Sequence, residues 1–284
     1  MPGGRIAGSR NRPRDLPRPN AVTAQSDPRP VRAIDVIWFN WPTYLGAILV
    51  IVVGIAVLAS PGVPAPLRVP VAIGIALTAW WLLASSLVSW WVYEGSGVTR
   101  WRWLGSVVTS PPSSWLNVTT GFDDTSEPLA VVFPDGGGTS IDVFDPQARH
   151  DGPALRARRT RPPRGLTAAP GGPLPAAAGS FDAVFLLMAA HEIRDGGNRR
   201  ALLAETARVL RPTGRVVLVE HLRNLVNAIV FGPGVPHFLG RATWLADASA
   251  AGLRLVEDRS LTPFASRLVF APAPKTTRSA PDQP

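Results

Sequence analysis

The sequence predicts a doubly wound α/β domain behind a two-helix membrane hairpin, and three observations carry that prediction. The first is residues 181–221, FDAVFLLMAAHEIRDGGNRRALLAETARVLRPTGRVVLVEH, in which two near-continuous apolar runs flank a helical stretch. Such runs suit parallel strands covered by helices on both faces. The second is the switch to ionisable side chains where each run ends, at His191-Glu192 and at Glu220-His221. Open α/β sheets bind their ligands at that edge. The third is a pair of charge-free stretches, 36–67 and 69–93, each able to cross about 30 Å of hydrocarbon as a helix.

In chain order, residues 1–35 form a basic arm rich in Arg and Pro, expected to be disordered. Residues 36–95 are the hairpin, turned by the Pro- and Gly-containing SPGVPAPLR. It begins too far from Met1 for an ordinary cleaved signal peptide. Seven arginines precede it (Arg5, Arg10, Arg12, Arg14, Arg18, Arg29, Arg32), against Arg68 alone in the turn, so both termini are expected to face the cytoplasm. Trp38, Trp41 and Tyr44 enter the first helix and Trp90, Trp91 and Tyr93 leave the second, as an aromatic belt at one interface would. Glu94–Pro112 is a connector whose Trp101 and Trp103 are expected against the bilayer surface.

Residues 96–272 form the α/β domain. Its strands are expected at Trp115–Thr119, Ser140–Phe144, Phe181–Leu187, Arg215–Val219, Leu253–Asp258 and Arg267–Phe270, with a weak one near Gly165–Ala168. Helices are expected over Glu127–Phe133, Pro153–Arg159, Asn198–Leu210 and Thr243–Ala251, with a turn at Arg211–Gly214. The Gly-, Pro- and Ala-rich crossover 162–179 is expected to be mobile, and 273–284 is a disordered tail.

Composition narrows the function classes. The absence of cysteine excludes disulfides, thiolate metal sites and catalytic thiols. The four histidines show no metal-ligand spacing, so no metal is expected. The net charge of +9 is spread over an arm and the 156–164 cluster without a nucleic-acid motif. Attraction to anionic headgroups is the more economical reading, and no nucleic-acid partner is expected.

The run FDAVFL, a helix and RVLRPTGRVVLVE resembles the fourth and fifth strands of class I S-adenosylmethionine-dependent methyltransferases of the type 11 group. Thr213-Gly214 stands where that family more often has two glycines. The loop Asn117-x-x-x-Gly121-Phe122-Asp123-Asp124 is similar to a membrane-anchored variety of the same group. The resemblance covers about Trp115 to Phe270 and implies a Rossmann-like doubly wound methyltransferase domain with S-adenosylmethionine as its cofactor.

The resemblance also implies roles for particular residues. Thr119, Thr120, Gly121 and Phe122 would form the loop that cradles the methionyl part, although the family pattern there has more glycines. Glycine helps because backbone without a Cβ approaches a ligand closely. An acidic residue after the second strand would hold the ribose hydroxyls. Asp145, before Pro146, is preferred over Asp142, whose side chain is expected on the other face. Adenine contacts would come from Leu166–Ala168, where the acidic residue common in the family is missing. Thr120-Gly121 as a plain strand exit and Asp123-Asp124 as a helix start remain open.

For the chemistry, His191 with Glu192 and Arg194, and Glu220 with His221 and Arg223, follow adjacent strands and could share one pocket. A histidine suits a general base, a carboxylate could orient it, and Arg194 or Arg223 could hold an anionic acceptor. Each carboxylate and arginine could equally be a structural pair. His237, Phe238 and Trp244 follow a Gly-Pro-Gly loop that could line the acceptor pocket.

The sequence thus predicts a membrane-anchored methyltransferase acting on a small-molecule or lipid-like acceptor. One rival is a degenerate methyltransferase fold acting as a membrane-tethered binding or scaffold module, favoured by the thin glycine motif. The other is a nicotinamide-dependent reductase, which would need a G-x-G-x-x-G loop that is not present.

Overall fold

The structure, a computed structural model, describes residues 31–108, 110–148 and 150–274. The expected disorder of 1–30 and 275–284 lies outside the described residues. Helix α1 (Ala33–Phe39) already begins within the expected arm. Its first amide, Ala33 N–H, donates to Glu94 Oε1 at 2.9 Å, which ties it to the end of the hairpin.

The hairpin is α2 (Trp41–Ala59) and α3 (Ala65–Trp90), followed by a π-turn at Trp91–Gly95. Both helices are long and apolar enough to cross a membrane, and only 6% of either apolar window is buried in the protein. The two pack closely at Gly54, where a Cβ would lie 2.8 Å from Ile75 Cγ1. Trp38, Trp41 and Trp90 are exposed at the same end of the pair.

Among the described residues seven strands form one sheet in the order β3-β2-β1-β4-β5-β7-β6. They are β1 (Ser114–Thr119), β2 (Gly137–Asp142), β3 (Leu166–Thr167), β4 (Phe181–Leu187), β5 (Leu210–Glu220), β6 (Leu253–Ser260) and β7 (Ser266–Pro272). The ladders from β3 through β5 are parallel, and β7 enters antiparallel between β5 and β6. The order reverses between β1 and β4, which opens a ligand crevice at their carboxyl ends.

The alternation of side chains along each strand builds two cores. On one face Leu116, Val184, Leu186, Val216 and Leu218 pack with Leu202 and Leu203 of α6 (Gly196–Val209) and Trp244 and Ala248 of α8 (Arg241–Ala250). On the other, Trp115, Phe185, Val217 and Val219 pack with Leu129 of α4 (Ser126–Val132), Trp101 and Leu104. Trp101 is therefore a core residue, 1% exposed, and not the bilayer contact expected of it. α5 (Gly152–Thr160) spans the crossover from β2 to β3.

Three local expectations are corrected. β2 ends at Asp142 instead of Phe144. Arg211–Gly214 is no free turn but a bulge inside β5: Leu210 pairs with Phe181 and Arg215 with Ala183. Arg211 reaches from it to Asp182 Oδ1 at 2.6 Å. The crossover 162–179 is anchored, since Leu174 is 3% exposed, Arg208 donates to the Leu174 and Ala176 carbonyls, and Glu205 accepts from Leu174 N–H. A helix absent from the sequence expectations, α7 (Leu225–Phe231), follows β5.

Candidate active site

β4 and β5 deliver the chemistry side by side because they are hydrogen-bonded neighbours ending at the same edge. After β4, Met188 adopts φ +54 and a 3-10 turn at Ala190–Glu192 follows. A left-handed non-glycine residue carries backbone strain of about 1–3 kcal/mol, and such strain collects at functional sites. The turn sets the backbone amide of His191 3.1 Å from Glu220 Oε1 and its Nδ1 2.6 Å from Glu220 Oε2. Glu220 is 1% exposed, so its two oxygens are committed to one neighbour.

On the far side of the ring, His191 Nε2 lies 3.5 Å from Glu192 Oε1. His237 brings its Nε2 to the same oxygen at 3.2 Å, while its Nδ1 meets Asp151 Oδ2 at 2.9 Å. Burial works against charge on His191, but Glu220 and Glu192 outweigh it and raise the imidazole to about 10. Burial likewise opposes ionisation of Glu192, and the two imidazoles nonetheless hold it well below the usual carboxylate range. His221 is lowered by burial, and its Nδ1–H donates to the Phe264 carbonyl at 2.8 Å. It sits against Phe238 and Phe231.

These groups face a cavity of about 720 Å³. Met188, His191, Glu192, His221, His237 and Phe238 line it from the α/β domain, and Asn40 between α1 and α2, with Tyr44, Trp81, Ser85, Ser89 and Tyr93 of α2, α3 and the π-turn, line it from the hairpin. The hairpin is thus a wall of the site. α7 closes the seam: Trp81 Nε1–H donates to the Phe231 carbonyl at 2.8 Å and Trp80 Nε1–H to the Ile229 carbonyl at 3.3 Å.

Four of the five candidate chemistry residues converge: His191, Glu192, Glu220 and His221. Arg223 does not, being exposed and outside the cavity lining. Arg194 pairs with Asp151 at 3.2 Å and contacts His237, not Glu192. Trp244 is fully buried in the core under Arg199. His237 and Asp151 complete the cluster from positions that no sequence spacing connected to His191.

The candidate cofactor residues gather at the β1 and β2 exits instead. Asp142 Oδ1 accepts from Gly121 N–H at 2.6 Å and lies 3.4 Å from Thr119 Oγ1, while Oδ2 receives Arg158 at 2.8 Å. Asp142 therefore faces the loop, contrary to the expectation that it points away. Gly121 has φ +94, and a Cβ there would lie 2.5 Å from Phe144, so only glycine fits. Thr120 Oγ1–H donates to the Ala189 carbonyl at 2.8 Å, joining this loop to the His191 turn. Phe122 packs edge-on against Phe39 of α1. Asn117, which the sequence reading left without a role, donates to Thr125 and Ser126 and pins the loop to the start of α4.

Asp145 is half-buried just past β2 and spends one oxygen on Gln147 N–H at 2.9 Å. Beside it Phe144, Pro146, Leu155 and Arg158 line a shallow, largely apolar recess. A carboxylate oxygen beside a flat apolar recess, next to a glycine exit, suits the ribose and adenine of a nucleoside cofactor. The donor set fits that group.

The fold and this edge define a doubly wound α/β domain with its ligand crevice at the β1/β4 switch point. Residues 140–218, from β2 into β5, match the family described as Methyltransferase domain, in agreement with the resemblance read from FDAVFL and RVLRPTGRVVLVE. No curated protein matches the chain in sequence. Similar solved structures include a SAM-dependent methyltransferase from Aquifex aeolicus, with 15% identity over 56% of this chain and 81% of that one, at a TM-score of 0.41. Another, from Methanosarcina mazei, shares 15% identity over 60% and 97% of the two chains, at 0.44. The 1,6-didemethyltoxoflavin-N1-methyltransferase of Burkholderia thailandensis, with bound S-adenosylhomocysteine, shares 15% over 76% and 93%, at 0.42. Likenesses this distant assign no residue a role.

Proposed function

We propose that the protein is a membrane-anchored S-adenosylmethionine-dependent methyltransferase whose acceptor is a small, membrane-soluble molecule. The observation that carries this reading is the shared cavity, walled on one side by the apolar hairpin and on the other by His191, Glu192 and His221. An acceptor with a polar head and an apolar body has a surface for each part there. Asp145 and the Gly121 loop would hold the cofactor, which supplies an electrophilic methyl group when bound. His191, kept protonated by Glu220 and Glu192, would donate its Nε2–H to a polar atom of the acceptor and orient it, with the ring fixed by Glu220 through Nδ1. In this reading the hairpin spans the bilayer with both termini cytoplasmic. α7, whose Leu225 and Ile229 are 74% and 54% exposed, lies along the same lipid surface.

One observation favours a second reading, a binding module that does not turn over: Asp142 has both oxygens engaged by Gly121 and Arg158. Calorimetric titration of S-adenosylhomocysteine into the full chain in detergent micelles separates the two. The methyltransferase reading expects micromolar binding that Asp145→Ala weakens about ten-fold, equivalent to about 1.4 kcal/mol. Absence of binding by the folded protein leaves only the module. Transfer of labelled methyl groups into extracted membrane lipids then tests the acceptor class.

A further inference from the structure

We infer that His191, Glu192 and His237 form a binding site for a divalent first-row transition-metal ion of the zinc type. One ligand atom from each of His191, Glu192 and His237 lies within 4.8 Å of the other two. Glu192 Oε1 stands 3.5 Å from His191 Nε2 and 3.2 Å from His237 Nε2. Ligands about 2.0–2.2 Å from a common ion stand about that far apart across its coordination sphere. Two imidazoles and one carboxylate are a donor set that suits zinc and iron and leaves positions open for water or a substrate oxygen.

The outer contacts point the same way. Metal-ligating histidines characteristically give their other ring N–H to a carboxylate, which fixes the tautomer. His191 has this contact, with Nδ1 2.6 Å from Glu220, and His237 Nδ1 lies 2.9 Å from Asp151 while also meeting the Arg194 guanidinium. His191 Nε2, His237 Nε2 and the Glu192 carboxylate face one another, and a divalent ion would bind there in place of the proton that Glu220 and Glu192 hold on His191. Three carboxylates surround the two imidazoles against one guanidinium from Arg194, an excess of negative charge that attracts a cation. Sequence spacing concealed the site because His237 comes from the loop after α7, 45 residues beyond Glu192.

The ligands line the cavity, so a bound ion's open position would face the acceptor. That role, holding an acceptor oxygen and lowering its proton affinity, rests on the methyltransferase reading. Binding of the ion does not.

Tag-free full-length protein in micelles, stripped with a chelator, would be titrated with Co²⁺ while its visible d–d absorption is followed, then with Zn²⁺ in competition. The site requires one equivalent of Co²⁺ displaced by Zn²⁺, with affinity reduced at least ten-fold in His237→Ala and in Glu192→Gln. Asp151→Asn, which touches only the outer contact, should weaken binding by about ten- to a hundred-fold, and Arg223→Ala should leave it unchanged. Absence of d–d bands, or bands indifferent to His237→Ala and Glu192→Gln, overturns the site and leaves protons as the cluster's only cations. The same preparation titrated with S-adenosylhomocysteine keeps the two readings apart. Cofactor binding without metal sinks this inference alone, and metal binding without cofactor upholds it while sinking the methyl-transfer reading.

Discussion

At the scale of single residues, the energetics turn on how each charge is buried. Arg199 of α6 and Asp247 of α8 form a pair at 2.6 Å with both side chains 6% exposed. Removing one partner strands the other charge in the core, so Asp247→Ala should destabilise the chain by about 3–5 kcal/mol. Asp258→Ala, whose partner Arg241 is half-exposed, should cost under about 1 kcal/mol. Thermal unfolding of both variants in micelles measures the contrast. Asp124 carries a different signature: burial, then the neighbouring Asp123, raise its carboxyl to about 7. Between its ordinary value of 3.8 and about 7 the unfolded chain is ionised while the folded one stays protonated. Stability therefore falls as pH rises through that window, by on the order of 2–4 kcal/mol at full ionisation. Asp124→Asn should match the parent near pH 4 and exceed it at pH 8, and equal pH slopes for the two proteins would refute the assignment. What was legible at this scale was residue type at strand exits. His191 and Glu220 could be read as candidates from their positions alone, but their 2.6 Å contact could not. Nor could Asp142's turn toward Gly121, because β2 stops two residues earlier than its apolar run suggested.

Among the elements, the seam between hairpin and α/β domain is where a small change has most leverage. Gly232 ends α7 with φ +48, and a Cβ there would lie 2.8 Å from Trp81 Cδ1. Gly232→Ala would strain the backbone and push Trp81 off the Phe231 carbonyl. Amide exchange across 225–238 should then accelerate while the core strands β4 and β5 keep their protection. Unchanged exchange over α7 would mean that the seam does not depend on this contact. The seam also marks the limit of pattern reading. β1, β4, α6 and α8 appeared nearly at their observed bounds because their apolar spacing is strong and continuous. α7 was missed: seven residues, LVNAIVF, show too little periodicity to separate a short helix from a loop. Its N-cap, Asn224 Oδ1 accepting from Asn227 N–H at 2.8 Å, was the available signal.

For the whole molecule, the hairpin completes the domain's cavity, and in the proposed function it also anchors the domain. If α7 rests in the lipid interface, a Trp introduced as Leu225→Trp in nanodiscs should be quenched by brominated acyl chains, and one introduced at exposed Arg223 should be quenched less. Equal quenching at both positions would remove α7 from the bilayer. The two charge-free spans, the parallel strands and the ionisable exits of β4 and β5 can be read along the chain, because hydrophobic period and abrupt polarity changes are local properties. That Tyr44, Trp81 and Tyr93 wall the same cavity as His191, and that His237 and Asp151 join it, follows from long-range packing alone. Those residues belong to segments whose separation along the chain carries no distance information. The sheet order and the Trp81–α7 hydrogen bond bring them together, and both are set by long-range packing.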